Sequence, residues 1–248
     1  MSAPLFELRG VSKRFGGIHA LEQVDLSLGA GEVIGLMGDN GAGKSTMVRI
    51  IAGNFQPSEG EVRLKGEAVR FANSADARDR GIEVVHQDLA LCDNLTAADN
   101  VFLGRELKRR IGPFRFLDYR AMARRAGELF AELQSETRPA DKVRMMSGGQ
   151  RQAVAIARTR LSDAPIVLMD EPTAAISVRQ VAQVLALIER LKASGVTVVL
   201  ISHRMPDVFT VADRLVVLRR GRKVADKKIA DTSPEEATGL ITGAIERA

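Results

Sequence analysis

Only one cysteine occurs among the 248 residues, so no internal disulfide can form. Cys92 reads as a packed thiol, since a free cysteine behaves as a small hydrophobe. Histidines are nearly as scarce: His19, His86 and His203 make no cluster of recognised metal-ligand spacing. Long apolar runs are missing as well. The longest, residues 165–169 and 196–201, fall far short of the roughly 20 residues a membrane-spanning helix needs. The opening stretch MSAPLFELRG puts Glu7 and Arg9 where a secretory signal needs an apolar run, so a cytoplasmic location is expected. No charge of one sign dominates either. The net charge of +5 is spread among 36 basic and 31 acidic residues, which argues against a nucleic-acid partner. The densest basic clusters, residues 108–110 and 219–223, read as solvated faces.

What is present is enough apolar residue, 45%, to bury a substantial core. LFELRGVSKRF, ALEQVDLSL and EVRLKGEAVRF read as short strands of an antiparallel layer. Between them, VIGLMG, a glycine-rich loop and KSTMVRIIAG form a strand, loop and helix. GIEVVH, PIVLMD and VTVVLIS have the length and branched composition of buried parallel strands. From about Leu89 to Ser162 the strand pattern lapses into helical spacing, which predicts an α-helical insertion. Val181, Leu185, Ile188 and Leu191 fall on one helix face between PIVLMD and VTVVLIS, completing a β-α-β unit whose crossover should be right-handed. Ser233-Pro234-Glu235-Glu236 starts a last short helix, and no room is expected after it for a regulatory domain.

Gly38-Asp39-Asn40-Gly41-Ala42-Gly43-Lys44-Ser45 matches the phosphate-loop pattern. The chemistry sets the residue types. Gly38, Gly41 and Gly43 let the backbone turn its N–H groups inward, and the following helix adds the positive end of its dipole. Lys44 is placed to reach the β- and γ-phosphates, and the Ser45 hydroxyl to bind Mg²⁺. Asp170 ends a buried strand, where a carboxylate can hold the metal. Glu171, one residue nearer solvent, is assigned as the general base or water-positioning group.

Those two features establish a nucleotide site and leave its use open. Ser147-Gly148-Gly149-Gln150, at the start of a predicted helix between the phosphate loop and Asp170, narrows it: with them it resembles the signature of ATP-binding cassette (ABC) proteins. A serine hydroxyl and two glycines at a helix start make a second anion-binding surface, aimed at a γ-phosphate. The resemblance runs from Leu5 to about Ala244. It implies an α/β fold: a P-loop NTPase (RecA-like) core with a mainly parallel sheet, an antiparallel β subdomain at the N-terminus and an inserted α-helical subdomain. Residues 1–88 and 163–248 would form the nucleotide-binding core and residues 89–162 the signature subdomain of one ATPase domain.

The resemblance also implies roles. Phe15 would stack on adenine, Thr46 would join the phosphate contacts, Gln87 would touch Mg²⁺ and water, and His203 would contact the γ-phosphate. In the family the signature serves the opposite subunit, so two chains would close head to tail over two ATP molecules, and this one would pair with an identical or related chain. Partners would be membrane-spanning permease subunits and, indirectly, a periplasmic sugar-binding protein, with the chain peripheral on the cytoplasmic face of a bacterial inner membrane. LTAADNVFLGRE, MSGGQRQAVAIAR and EPTAAISVRQ resemble the ribose, xylose and fructose importers, and the single cassette resembles the fructose type. Ser177 stands where many cassettes have Asp, which leaves coupling between the two sites open. Other cargoes (amino acids, lipids or export), a soluble cassette of DNA repair or translation, and a cassette that binds without hydrolysing are the alternatives. Glu171 and His203 argue against the last.

Overall fold

The computed structural model describes residues 4–174 and 176–246. The first three residues of the opening stretch, Ala175 of the EPTAAISVRQ segment and the last two residues lie outside the described residues.

Two strands, β1 (Phe6–Phe15) and β2 (Ile18–Leu28), form an antiparallel pair that turns at Gly16 and Gly17. β3 (Val33–Met37), the phosphate-loop segment and α1 (Lys44–Ile51) follow. Next come β4 (Glu59–Leu64), β5 (Glu67–Val69), α2 (Ser74–Asp79) and β6 (Ile82–Val85). The EVRLKGEAVRF segment is thus two strands: Lys65 and Gly66 take φ of +52° and +84°, the backbone of a two-residue hairpin turn. The first sheet has the order β2-β1-β4-β5.

The insertion contains α3 (Ala97–Phe102), β7 (Lys108–Ile111), β8 (Phe114–Leu117), α4 (Tyr119–Glu132) and α5 (Gly148–Thr159). The purely helical expectation fails at β7 and β8, an antiparallel hairpin hidden in what read as a solvated basic cluster. β9 (Ile166–Asp170), α6 (Val178–Ala193), β10 (Thr197–Ile201) and α7 (Met205–Val211) follow. β11 (Arg214–Arg219), β12 (Arg222–Lys228) and α8 (Pro234–Thr242) complete the elements. The second basic cluster, residues 219–223, is the turn between β11 and β12, with Arg220 and Gly221 at positive φ.

The second sheet has the order β12-β11-β3-β10-β9-β6, parallel except at β11 and β12. Alternation decides its packing. Val33, Met37, Val167, Met169, Val198 and Leu200 face one core, with α3 to α6. Their neighbours Ile34, Leu36, Ile166, Leu168, Val199 and Ile201 face a second core shared with α1 and the antiparallel sheet. With both faces covered, the strands read as continuous apolar runs. α7 closes on β3 at Gly35, where a Cβ would stand 2.2 Å from Val208 Cγ1.

A polar brace ties the insertion to the sheet. Glu83 on β6 is buried, and its carboxylate accepts from Arg105 at 2.5 Å and from Ser162 at 2.8 Å. Nearby, buried Asn100 of α3 accepts from Cys92 N at 2.7 Å and donates to Cys92 O at 3.0 Å, fixing the chain that follows β6. Cys92 itself is half-buried rather than fully packed. Among the described residues no helix is long and apolar enough to cross a membrane.

Candidate functional site

Four parallel strands deliver the candidate residues to one edge of the sheet. β3 runs into Gly38, β9 ends on Asp170, β10 leads to His203 and β6 to Gln87. Their registers set Leu36 beside Ile201, Ile201 beside Asp170 and Met169 beside Val85. Open α/β sheets bind ligands beyond the carboxyl ends of their strands.

At the end of β3 the chain must turn in a confined space. Gly38 and Gly43 hold φ of +148° and +105°. A Cβ on Gly38 would lie 2.2 Å from Leu218 O, and one on Gly43 2.7 Å from Ala20 O. Both backbone conformation and room therefore require glycine at these positions. Ala42 is buried and accepts from Gly221 N at 3.0 Å, which anchors the loop to the β11–β12 turn, while Asp39, Asn40 and Gly41 are exposed. α1 opens at Gly43, which has no side chain to occupy the first-turn N–H groups, so those groups are available to phosphate oxygens. Ser45 is exposed and Thr46 half-buried on that first turn. Lys44 folds back over the loop and donates to Gly38 O at 2.6 Å and Asp39 O at 3.0 Å. Burial pushes its pKa below the ordinary lysine value, while the carboxylates of Glu171, Asp39 and Asp170 pull it upward. Both acids that end β9 are thus electrostatic neighbours of Lys44.

Glu171 sits at φ +49°, a left-handed conformation uncommon for a residue with a side chain. Its N–H donates to Ile201 O at 2.9 Å, which turns the side chain out of the strand line toward His203. His203 Nδ1 stands 2.8 Å from Glu171 Oε2. No hydrogen bond reaches the buried Oε2 among the described residues. An acceptor held in that condition suits an attacking water. Among the described residues no three His, Cys, Asp or Glu side chains gather into a metal cage. The Ser45 hydroxyl, the Asp170 carboxylate and the Gln87 amide oxygen would instead supply the sparse all-oxygen set that Mg²⁺ uses when phosphates complete its shell. Gln87 is exposed just beyond β6.

A buried pair missed in the sequence steadies this edge. Thr173 Oγ1 donates to Asp207 Oδ2 at 2.6 Å, and Arg204 Nε lies 3.4 Å from the same oxygen. Thr173 and Asp207 are buried at 1% and 3% exposure, so the bond locks the turn after Glu171 to the helix after His203. Thr173→Val keeps the shape and removes the donor. It should cost about 1–3 kcal/mol in urea unfolding and lower ATP turnover with nucleotide affinity retained. Unchanged turnover would show that the Glu171 turn is held by other means.

Phe15 ends β1 at 43% exposure, edge-on to Phe55 with ring centroids 5.3 Å apart. Lys13 lies over the Phe15 ring, and Arg49 of α1 over Phe55, so the aromatic shelf is tied to the phosphate-loop helix.

Ser147–Gln150 is not brought to this edge. Ser147 N-caps α5 in a capping box: Gln150 N donates to Ser147 Oγ at 3.3 Å, and Ser147 N to Gln150 Oε1 at 2.9 Å. Gly148 and Gly149 lie against the start of α6: a Cβ on Gly148 would meet Ile176 Cγ2, just before the helix, at 2.8 Å, and one on Gly149 would meet Gln183 Oε1, on it, at 2.6 Å. Ser147, Gly149 and Gln150 line a cavity of about 660 Å³ with Ser177 and Gln183, whereas Asp39 to Ala42 line a different one of about 430 Å³. The two motifs therefore line separate cavities. Ser177, a departure in the sequence, has a structural job: it N-caps α6 in a second capping box with Gln180. The Ser-x-x-Gln spacing was the legible signal for it.

Comparison with known proteins shows the family of the chain. The family model for ABC transporters matches residues 21–174. The fructose import ATP-binding protein FrcA of Rhizobium meliloti is 44% identical, over 98% of this chain and 95% of its own length. The ribose import ATP-binding protein RbsA 1 of Agrobacterium fabrum is 40% identical over 97% of this chain, which spans only 46% of that relative. Among solved structures, the dimeric ATP-binding cassette MJ0796 bound to ADP and Pi superposes with a TM-score of 0.74 at 30% identity, covering 90% of this chain and 98% of that one.

Proposed function

Because the chain belongs to the ABC transporter family, we propose that it is the ATPase subunit that powers import of a monosaccharide through separate permease subunits. The observation that carries the cargo class is the near end-to-end likeness to a single-cassette fructose importer. The chain binds and hydrolyses ATP with Mg²⁺. Phosphate oxygens would take the free N–H groups of the Gly38–Lys44 loop, displacing the Lys44 ammonium from the loop carbonyls onto the β- and γ-phosphates. Ser45 and Asp170 would hold Mg²⁺, with Gln87 beside it; the ion supplies charge neutralisation on the phosphates. Glu171 Oε2 orients the attacking water and takes its proton, and His203 meets the γ-phosphate from β10.

Two half-sites on one chain have a direct reading. The phosphate loop of one copy and the Ser147 cap of a second copy enclose one ATP, so ATP favours the closed pair and hydrolysis reopens it. Residues 89–162 act as the signature subdomain, moving against a core of residues 1–88 and 163–248. The segment after Gln87 transmits the motion to the permease. The subunit works peripherally on the cytoplasmic face of the inner membrane, with a periplasmic sugar-binding protein delivering cargo.

Proteoliposomes holding the permease complex test this reading. ATP-dependent uptake of ribose, xylose or fructose is the expected result, together with turnover stimulated by the loaded sugar-binding protein. Stimulation by amino acids or lipids and not by sugars would overturn the cargo class.

A further inference from the structure

The β7–β8 hairpin projects from the insertion as a self-paired ribbon in which every residue is exposed. Gly112 at φ +61° and Pro113 make its two-residue turn, and Asp118 N donates to Leu107 O at 2.8 Å to close its base. A lone two-stranded ribbon is marginal in water. This one also exposes side chains that ordinarily need cover. Of twelve large hydrophobic side chains exposed among the described residues, seven lie between positions 103 and 119.

Their order along the ribbon is informative. The pair nearest the turn is Ile111 and Phe114, at 51% and 66% exposure. Directly behind it Arg110 faces Arg115, then Arg109 faces Phe116, and Lys108 faces Leu117. Residues 107–117 contain four cations and no acid. The acids that flank them are occupied: Glu106 accepts from Gly104 N, and Asp118 caps α4 through Ala121 N. Opposed like charges destabilise a ribbon, so the Arg110–Arg115 pair works against the hairpin unless anions lie beside it.

An apolar tip followed by a belt of cations fits one kind of surface. With about 3.3 Å between successive residues, a tip buried in the acyl boundary sets the belt at the depth of lipid headgroups, within the roughly 5–10 Å that interfacial segments penetrate. We propose that the β7–β8 hairpin inserts its tip into an anionic lipid surface, with Ile111 and Phe114 in the acyl boundary and Lys108, Arg109, Arg110 and Arg115 on headgroup phosphates. The contact gives the subunit a hold on the membrane separate from the permease. It rests on the transporter reading only for the claim that a membrane is within reach.

The test is flotation of the purified full chain with vesicles of phosphatidylcholine alone or mixed with phosphatidylglycerol. The chain should float with the mixed vesicles, weakly with phosphatidylcholine, and less at raised salt. Ile111→Ser with Phe114→Ser should weaken binding about tenfold, and Lys108→Ser with Arg110→Ser and Arg115→Ser roughly a hundredfold. Both variants should hydrolyse ATP as the parent does, which confirms their fold. Absence of binding, or binding that neither variant alters, overturns the proposal. So does a pair of variants that float normally but no longer co-purify with the permease, since the ribbon would then dock on protein. Flotation needs neither ATP nor permease, so its outcome is independent of the sugar-uptake test.

Discussion

Glu171→Gln should leave ATP bound and lower turnover about a thousandfold, the loss expected when a positioned general base is removed. Glutamine has the same volume and accepts the same backbone conformation at φ +49°, so the turn and the Ile201 contact persist. What disappears is the charge on an oxygen that the protein leaves buried and without a directed donor. With hydrolysis stopped and both half-sites intact, ATP should hold the chain as a dimer in size-exclusion chromatography. Parental turnover would remove Glu171 from the chemistry. Loss of ATP binding would make its role structural.

Ser147→Arg should abolish turnover for a different reason. The substitution puts a long side chain at the exposed cap of α5, remote from the phosphate loop, so each chain should bind nucleotide with its own affinity unchanged. The decisive experiment mixes the two inactive proteins before ATP is added. A mixed pair has one site built from the phosphate loop and Glu171 of the Ser147→Arg chain and the intact Ser147 of the Glu171→Gln chain. Random pairing gives half mixed dimers with one working site of two, so activity should return to about a quarter of the parent in a two-fold pair. No recovery would mean that Ser147 does not serve the other subunit's nucleotide.

Much of the site was legible because its chemistry is local in sequence. The phosphate loop, the acids after β9 and the capping serine each occupy a few consecutive residues, and the strands that carry them are buried on both faces. What escaped is non-local or uncovered. Thr173 and Asp207 are 34 residues apart, and each reads alone as an ordinary polar residue. Glu83 and Arg105 meet across 22 residues. β11 carries an apolar run of only four residues between arginines, which blend into the basic turn that follows it. In β7 and β8 nothing is buried, so no apolar periodicity announces them. Ser177 was the opposite case: its departure from the family pattern was plain, while its use as a cap became plain only with α6 in view.

The seating of Gly148 and Gly149 on α6 has a mechanical corollary. α6 begins seven residues after Glu171, and Gly148 and Gly149 of α5 lie against Ile176 just before it and against Gln180 and Gln183 of its first turns. In the proposed closed pair, a shift in the turn after β9 would pass through the start of α6 to the Ser147 cap.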